Sequence, residues 1–125
     1  NYGVAGIVEF VGEITDSTLM SYYLGSDIMV CTSEHEGFCV PVVEAQYFGL
    51  PVLALRACAV PETIGKDQII LDKEPQKYAA AIHTLFEHPE YQNFLREKAL
   101  ENYNARFAEK IIQQEFWREF EKGVK

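Results

Sequence analysis

The chain has 125 residues, 48% of them hydrophobic, and a formal net charge of −8. That length suits one domain, and the apolar fraction suits a packed core. No apolar run approaches the ~18 residues of a membrane span, and basic residues do not gather until the last helix, which argues against nucleic acid or an anionic membrane surface as a partner.

Asn1-Tyr2-Gly3 has neither an initiator Met nor a signal-peptide layout, so the start reads as an internal cut. Gly6 to Gly12 (GIVEFVG) is a β-branched and aromatic run closed by glycine, and it predicts a strand. Thr15 or Asp16 can cap a helix running to Gly25, with Leu19, Tyr22 and Tyr23 on its inner side. Asp27 to Cys31 is almost continuously apolar, as expected of a parallel strand covered on both faces. Pro41 suits the first turn of a helix that stops at Gly49. Pro51 to Leu55 predicts a further buried strand, and Gln68 to Leu71 a shorter one. From Pro75 the spacing turns helical, first through Tyr78, Ile82, Leu85 and Phe86. A second such helix opens at Pro89 with Tyr91, Phe94 and Leu95, and a last one from about Ala108 carries Ile112, Phe116 and Phe120 on one face beside Trp117. Strands alternating with helices through short loops predict an α/β fold, a doubly wound, Rossmann-like parallel sheet followed by C-terminal helices, as a single domain over residues 1–125.

Cys31, Cys39 and Cys58 form no zinc spacing and no CxxC pair, which fits small apolar packers in a reducing cytoplasm. His35 reads as a solvated loop residue, and His83 and His88 as structural or solvent-facing.

Doubly wound sheets bind ligands beyond the carboxyl ends of their strands. The stretch Glu36 to Ala45 (EGFCVPVVEA) follows such a strand and holds two glutamates, Glu36 and Glu44, with seven residues between them. Gly37 permits a backbone conformation or a close approach that a side chain would block. The first N–H groups of the following helix have no internal partner and attract phosphate, and Glu44 is expected within its first turn or so, where the dipole favours a carboxylate. Two carboxylates around an anion-friendly patch suit a ligand with hydroxyls at both ends and phosphate between, a nucleoside diphosphate sugar. The plainer reading is a solvated loop glutamate and a dipole-favoured helix glutamate.

The letters around this stretch go further. Thr32 to Ala45 (TSEHEGFCVPVVEA), continuing into Gly49-Leu50-Pro51-Val52-Leu53-Ala54 and Val60-Pro61-Glu62-Thr63-Ile64, resembles the donor-site signature of the family 4, or group 1, retaining glycosyltransferases of GT-B fold. Val8 to Gly12 and Tyr22 to Val30 fit upstream, so the resemblance runs from about Val8 to Phe120. It implies the C-terminal, donor-binding domain of an enzyme that moves a hexosyl-type group to an acceptor hydroxyl. It implies that Glu36 hydrogen-bonds a donor-sugar hydroxyl at the reacting carbon, as the catalytic-site residue, and that Glu44 holds the ribose hydroxyls. Gly37, Phe38, Cys39 and Val40 would bring backbone amides to the sugar and distal phosphate, and Ser33 would line the same pocket. No metal and no other cofactor is expected. Base contacts would be largely backbone, near Val11 to Ile14.

The family commonly has glycine where Cys39 stands and Gly-Gly where Cys58-Ala59 stands. Cys39 would narrow the space beside the phosphate and sugar, and at a helix start it has a second reading as a thiol of lowered pKa. Cys58-Ala59 would stiffen its loop and shift it off the donor, leaving Glu62 as a helix-start or bracing carboxylate. The family's phosphate-binding Arg and Lys would precede this chain, with the first strand-helix units and the acceptor domain, and Arg56 and Lys66 do not match their positions. The chain alone is therefore expected to be inactive, in a protein that is cytoplasmic or membrane-peripheral, with an acceptor sugar or lipid-linked sugar held by the other domain. The last helix would offer a dimer contact or another interface. The alternative is a non-catalytic nucleotide-binding or interaction module on the same fold. A phospho-acceptor receiver domain is set aside, because the strands end in Gly12, Cys31 and Leu55 and not in an acidic cluster.

Overall fold

The computed structural model describes residues 3–123. Helix α1 (Asp16–Gly25) starts from Thr15, whose Oγ1 accepts from the Thr18 N–H at 3.3 Å, an N-cap that meets one of the orphan donors of a helix start. Strand β1 (Met29–Cys31) leads through the motif into α2 (Val40–Tyr47). Then come β2 (Val52–Leu55), the short α3 (Val60–Ile64), β3 (Ile69–Leu71), and the helices α4 (Pro75–Glu87), α5 (Pro89–Arg106) and α6 (Glu109–Gly123).

The sheet is parallel in the order β1-β2-β3, with Met29 beside Val52 and Leu53 beside Ile69. Side chains alternate along β2, and each face buries a different set. Val52 and Ala54 join Cys31, Cys39, Val42, Ala45, Leu50, Val60 and Ile64 under α2 and α3. Leu53 joins Leu85 of α4 and Leu95 of α5, with Ile28, Ile69 and Ile82 against them. Helices therefore cover both faces, as the apolar run in β2 requires. Helix α5 packs along both α2 and α4 and closes one side.

Three expectations need correction. Residues 6–12 form no strand: the segment is irregular, pairs with none of the three strands, and leaves Phe10 94% exposed. A β-prone run keeps strand form only where a neighbour takes its N–H and C=O groups, and none is alongside. Strand β1 is covered on one face only: Cys31 is buried in the cluster under α2, whereas Val30 on the opposite face is exposed. Phe86, Tyr91 and Phe94 share their helices' apolar spacing but are exposed, and on α5 Leu95 and Ala99 take the buried places. The α6 stripe lies outside the two core clusters. Ile112, Phe116, Trp117 and Phe120 are all exposed, and the three rings pack on one another with centroids 5.6–6.2 Å apart.

Candidate functional site

The motif lies where the topology puts a ligand, between the carboxyl end of β1 and the start of α2. Three contacts brace its backbone. The Thr63 hydroxyl of α3 donates to the Phe38 carbonyl at 2.6 Å. The Ala59 N–H reaches the Glu36 carbonyl at 3.5 Å. Cys58 Sγ donates to the Glu34 carbonyl at 3.3 Å. The Cys58-Ala59 loop is thus fastened to the motif and not moved away from it, although Cys58 takes a φ of +47° that glycine would adopt without strain. Behind this lies a buried polar network. Gln46 donates to the Ile64 carbonyl at 2.7 Å and accepts from Asn102 Nδ2 at 2.6 Å, and Asn102 Nδ2 also lies 3.2 Å from the Thr63 carbonyl. Thr63, Gln46 and Asn102 were not candidates on sequence; the cue was a Thr and a Gln at otherwise apolar core positions, which need partners when buried.

Cys39 is the N-cap of α2, with φ +64° and ψ +64°. This left-handed conformation explains why glycine suits the position. Its side chain is 1% exposed and lies in the core, with Sγ 3.6 Å from Cys31 Sγ. Cys39 therefore does not narrow the ligand side of the loop. Nor is its thiol activated: burial, with Cys31 beside it, pushes the pKa up to about 12, opposite to the helix-start reading. No side chain caps α2; Pro41 has no N–H and the Val42 N–H is taken by the Cys39 carbonyl at 3.1 Å, so the unmet amide capacity of the first turn is that of Val40.

Of the two reasons for glycine at Gly37, a special backbone conformation is not the operative one. Its φ is not in the left-handed region, and a Cβ there would meet nothing within 4 Å. Nothing in the chain demands glycine; only something approaching from outside would. The half-buried Glu36 receives no hydrogen bond on its carboxylate from any described residue. Ser33 is half-buried in the same loop, and Phe38 and Val40 are exposed, Phe38 edge-on to Phe107 at 5.6 Å.

Glu44 is the fifth residue of α2 and lies beyond its first turn, so the dipole is a weak reason for a carboxylate there. A stronger reason is a partner. The Tyr23 hydroxyl of α1 donates to Glu44 Oε2 at 2.8 Å, and the Tyr23 ring stacks on Phe48 at 5.3 Å. Burial, and then the Glu44 bond, raise the Tyr23 pKa. The sequence had put Tyr23 only on the inner side of α1; its hydroxyl was the signal that a polar partner was needed.

The cations nearby are engaged. Lys73 pairs with Glu34, and Arg56 with Asp72 at 3.5 Å. Glu62 sits in the first turn of α3, as a helix-start carboxylate should. A groove of about 350 Å³ opens beside the motif, between Val30, Thr32, Leu55, Pro75 and Tyr78. The Tyr78 hydroxyl is buried and has no hydrogen-bond partner among the described residues.

The family model described as "Glycosyl transferases group 1" matches residues 1–102. The chain belongs to the group 1 glycosyl transferases. It is 31% identical over 108 residues to a protein named D-inositol 3-phosphate glycosyltransferase 2 from Catenulispora acidiphila, covering 84% of this chain and 25% of that protein. The C-terminal domain of a group 1 glycosyl transferase from Francisella tularensis superposes with a TM-score of 0.68 at 25% identity, over 80% of this chain and 52% of that one. Sucrose-phosphate synthase from Thermosynechococcus elongatus superposes with a TM-score of 0.82 at 23% identity, over 98% of this chain and 32% of that one, which speaks for the fold alone. The architecture is that of a GT-B C-terminal domain. The chain spans about a quarter of the length of the first of these relatives. Among the described residues, no helix is long and apolar enough to cross a membrane.

Proposed function

We propose that the chain is the donor-binding part of a longer retaining glycosyltransferase, called here the intact protein, which moves a hexosyl group from a nucleoside diphosphate sugar to an acceptor hydroxyl. The supporting observation is the local build of the motif in a group 1 chain: a loop with open space at Gly37, an unengaged Glu36 carboxylate, and the uncapped start of α2. In this reading Glu36 accepts a hydrogen bond from a donor-sugar hydroxyl and orients the ring, a positioning role. Backbone amides from Gly37 to Val40 meet the distal phosphate, where charge develops on the leaving group. Glu44 holds the ribose hydroxyls, and Ser33 lines the pocket. No metal step is invoked: the remaining phosphate charge falls to a basic pair elsewhere in the intact protein, and the acceptor to its other domain. Both compartment readings, cytoplasmic and membrane-peripheral, are compatible with this role.

The test is a titration of a panel of nucleoside diphosphate sugars against the intact protein, with and without a chelator. Saturable, chelator-insensitive binding is expected, and absence of binding across the panel sinks the donor role. One observation favours the non-catalytic module instead. Cys39 and Cys58 hold left-handed backbone conformations that glycine adopts more cheaply, so two loops at the motif depart from the glycines the family commonly has there. Sugar transfer by the intact protein would dispose of that reading.

A further inference from the structure

Glu44 is held by Tyr23, to which the proposed function gives no role. The Tyr23 hydroxyl has two acceptors in reach, Glu44 Oε2 at 2.8 Å and the Pro41 carbonyl at 3.4 Å, and its hydrogen bond goes to the shorter and charged one. Among the described residues nothing donates to Glu44 Oε1. The ring cannot easily turn away, because it stacks on Phe48 with planes 10° apart, and Phe48 meets Tyr47 edge-on at 4.9 Å. The carboxylate therefore has one oxygen tied to a fixed phenol and one oxygen free.

We propose that Tyr23 is a positioning residue for Glu44: its hydroxyl fixes one carboxylate oxygen so that the other is presented to a ligand diol. This rests on the reading of Glu44 as the ribose holder. A free glutamate on a helix surface samples several rotamers and loses that freedom when it binds. Tyr23 removes the freedom beforehand, so a hydroxyl donor meets a pre-set acceptor. Because burial and the Glu44 charge raise the phenol's pKa, Tyr23 stays a donor throughout the neutral range. Phenylalanine would keep the ring, its stack on Phe48 and its packing against the core cluster, and remove only the hydrogen bond.

The experiment compares ribo and 2′-deoxy forms of UDP, GDP and ADP on the intact protein and on its Tyr23→Phe and Glu44→Ala variants. The wild type is expected to prefer a ribonucleotide, and Tyr23→Phe to lose roughly tenfold of that preference, the scale of one hydrogen bond to a charged group. A merely structural role for Tyr23 would weaken both forms alike and leave the ratio unchanged. An unchanged ratio in Tyr23→Phe with a collapsed ratio in Glu44→Ala overturns the positioning role alone. An unchanged ratio in Glu44→Ala, or no ribonucleotide binding by the wild type, overturns the ribose reading beneath it.

Discussion

Gly65 is the position where a single methyl group should do most damage. It ends α3 with φ +74° and ψ −163°, a conformation that is essentially glycine-only. A Cβ built there would stand 2.3 Å from Asn102 Oδ1 and 2.6 Å from its Cγ. Gly65→Ala therefore strains the backbone and also drives Asn102 away. Asn102 is the partner of the fully buried Gln46 and lies against the Thr63 and Ile64 carbonyls. Backbone strain costs about 1–3 kcal/mol, and leaving buried Gln46 Oε1 without a donor costs about 1–3 kcal/mol, so a loss of roughly 2–6 kcal/mol is expected. Native-state hydrogen exchange of the intact protein, read by mass spectrometry on peptides from α2 and α3, measures it locally. In an Asn102→Ala background the clash is absent, and Gly65→Ala should cost only the strain, so the two changes are strongly non-additive. A cost below about 1 kcal/mol, or simple additivity, would refute the reasoning.

Two further outcomes follow from the same geometry. Cys58 is exposed, whereas Cys39 is buried with its pKa pushed up to about 12. At pH 8 iodoacetamide should alkylate Cys58 in the folded protein and spare Cys39, whose thiolate appears only as the pH nears that raised value; equal rates by mass spectrometry would contradict this. Thr63→Val removes the bond to the Phe38 carbonyl at little change of volume and should cost about 1–3 kcal/mol of stability while weakening donor binding. Thr63→Ser should restore both, and a Ser variant as poor as Val would locate the cause in packing instead of the hydroxyl.

Legibility in the sequence tracked how local the cause was. Helix α1 with its Thr15 cap, the buried run of β2, and Pro41 at the start of α2 depend on near neighbours, and they stand within a residue or two of where the letters put them. The order of residues around Glu36 and Glu44, read as a family signature, agrees with the group 1 match. Features set by distant contacts were not readable. Ile7 to Val11 has strand-like letters, but pairing depends on a neighbour. The spacing of Ile112, Phe116 and Phe120 marks a helix face without saying what covers it. The inward turn of Cys39 depends on its left-handed backbone and on Cys31, eight positions away. The Tyr23–Glu44 bond joins two helices, and no spacing rule reaches across them.

The division of labour between the two glutamates is the central claim, and one measurement separates them. Calorimetric titration of the intact protein with a nucleoside diphosphate sugar, and with the matching nucleoside diphosphate alone, should be run on wild type, Glu36→Ala and Glu44→Ala. Glu36→Ala is expected to weaken the sugar nucleotide roughly tenfold or more and leave the diphosphate untouched, whereas Glu44→Ala weakens both by a similar factor. If Glu36→Ala weakens the two ligands equally, or Glu44→Ala weakens neither, the assignment of sugar to Glu36 and ribose to Glu44 is wrong.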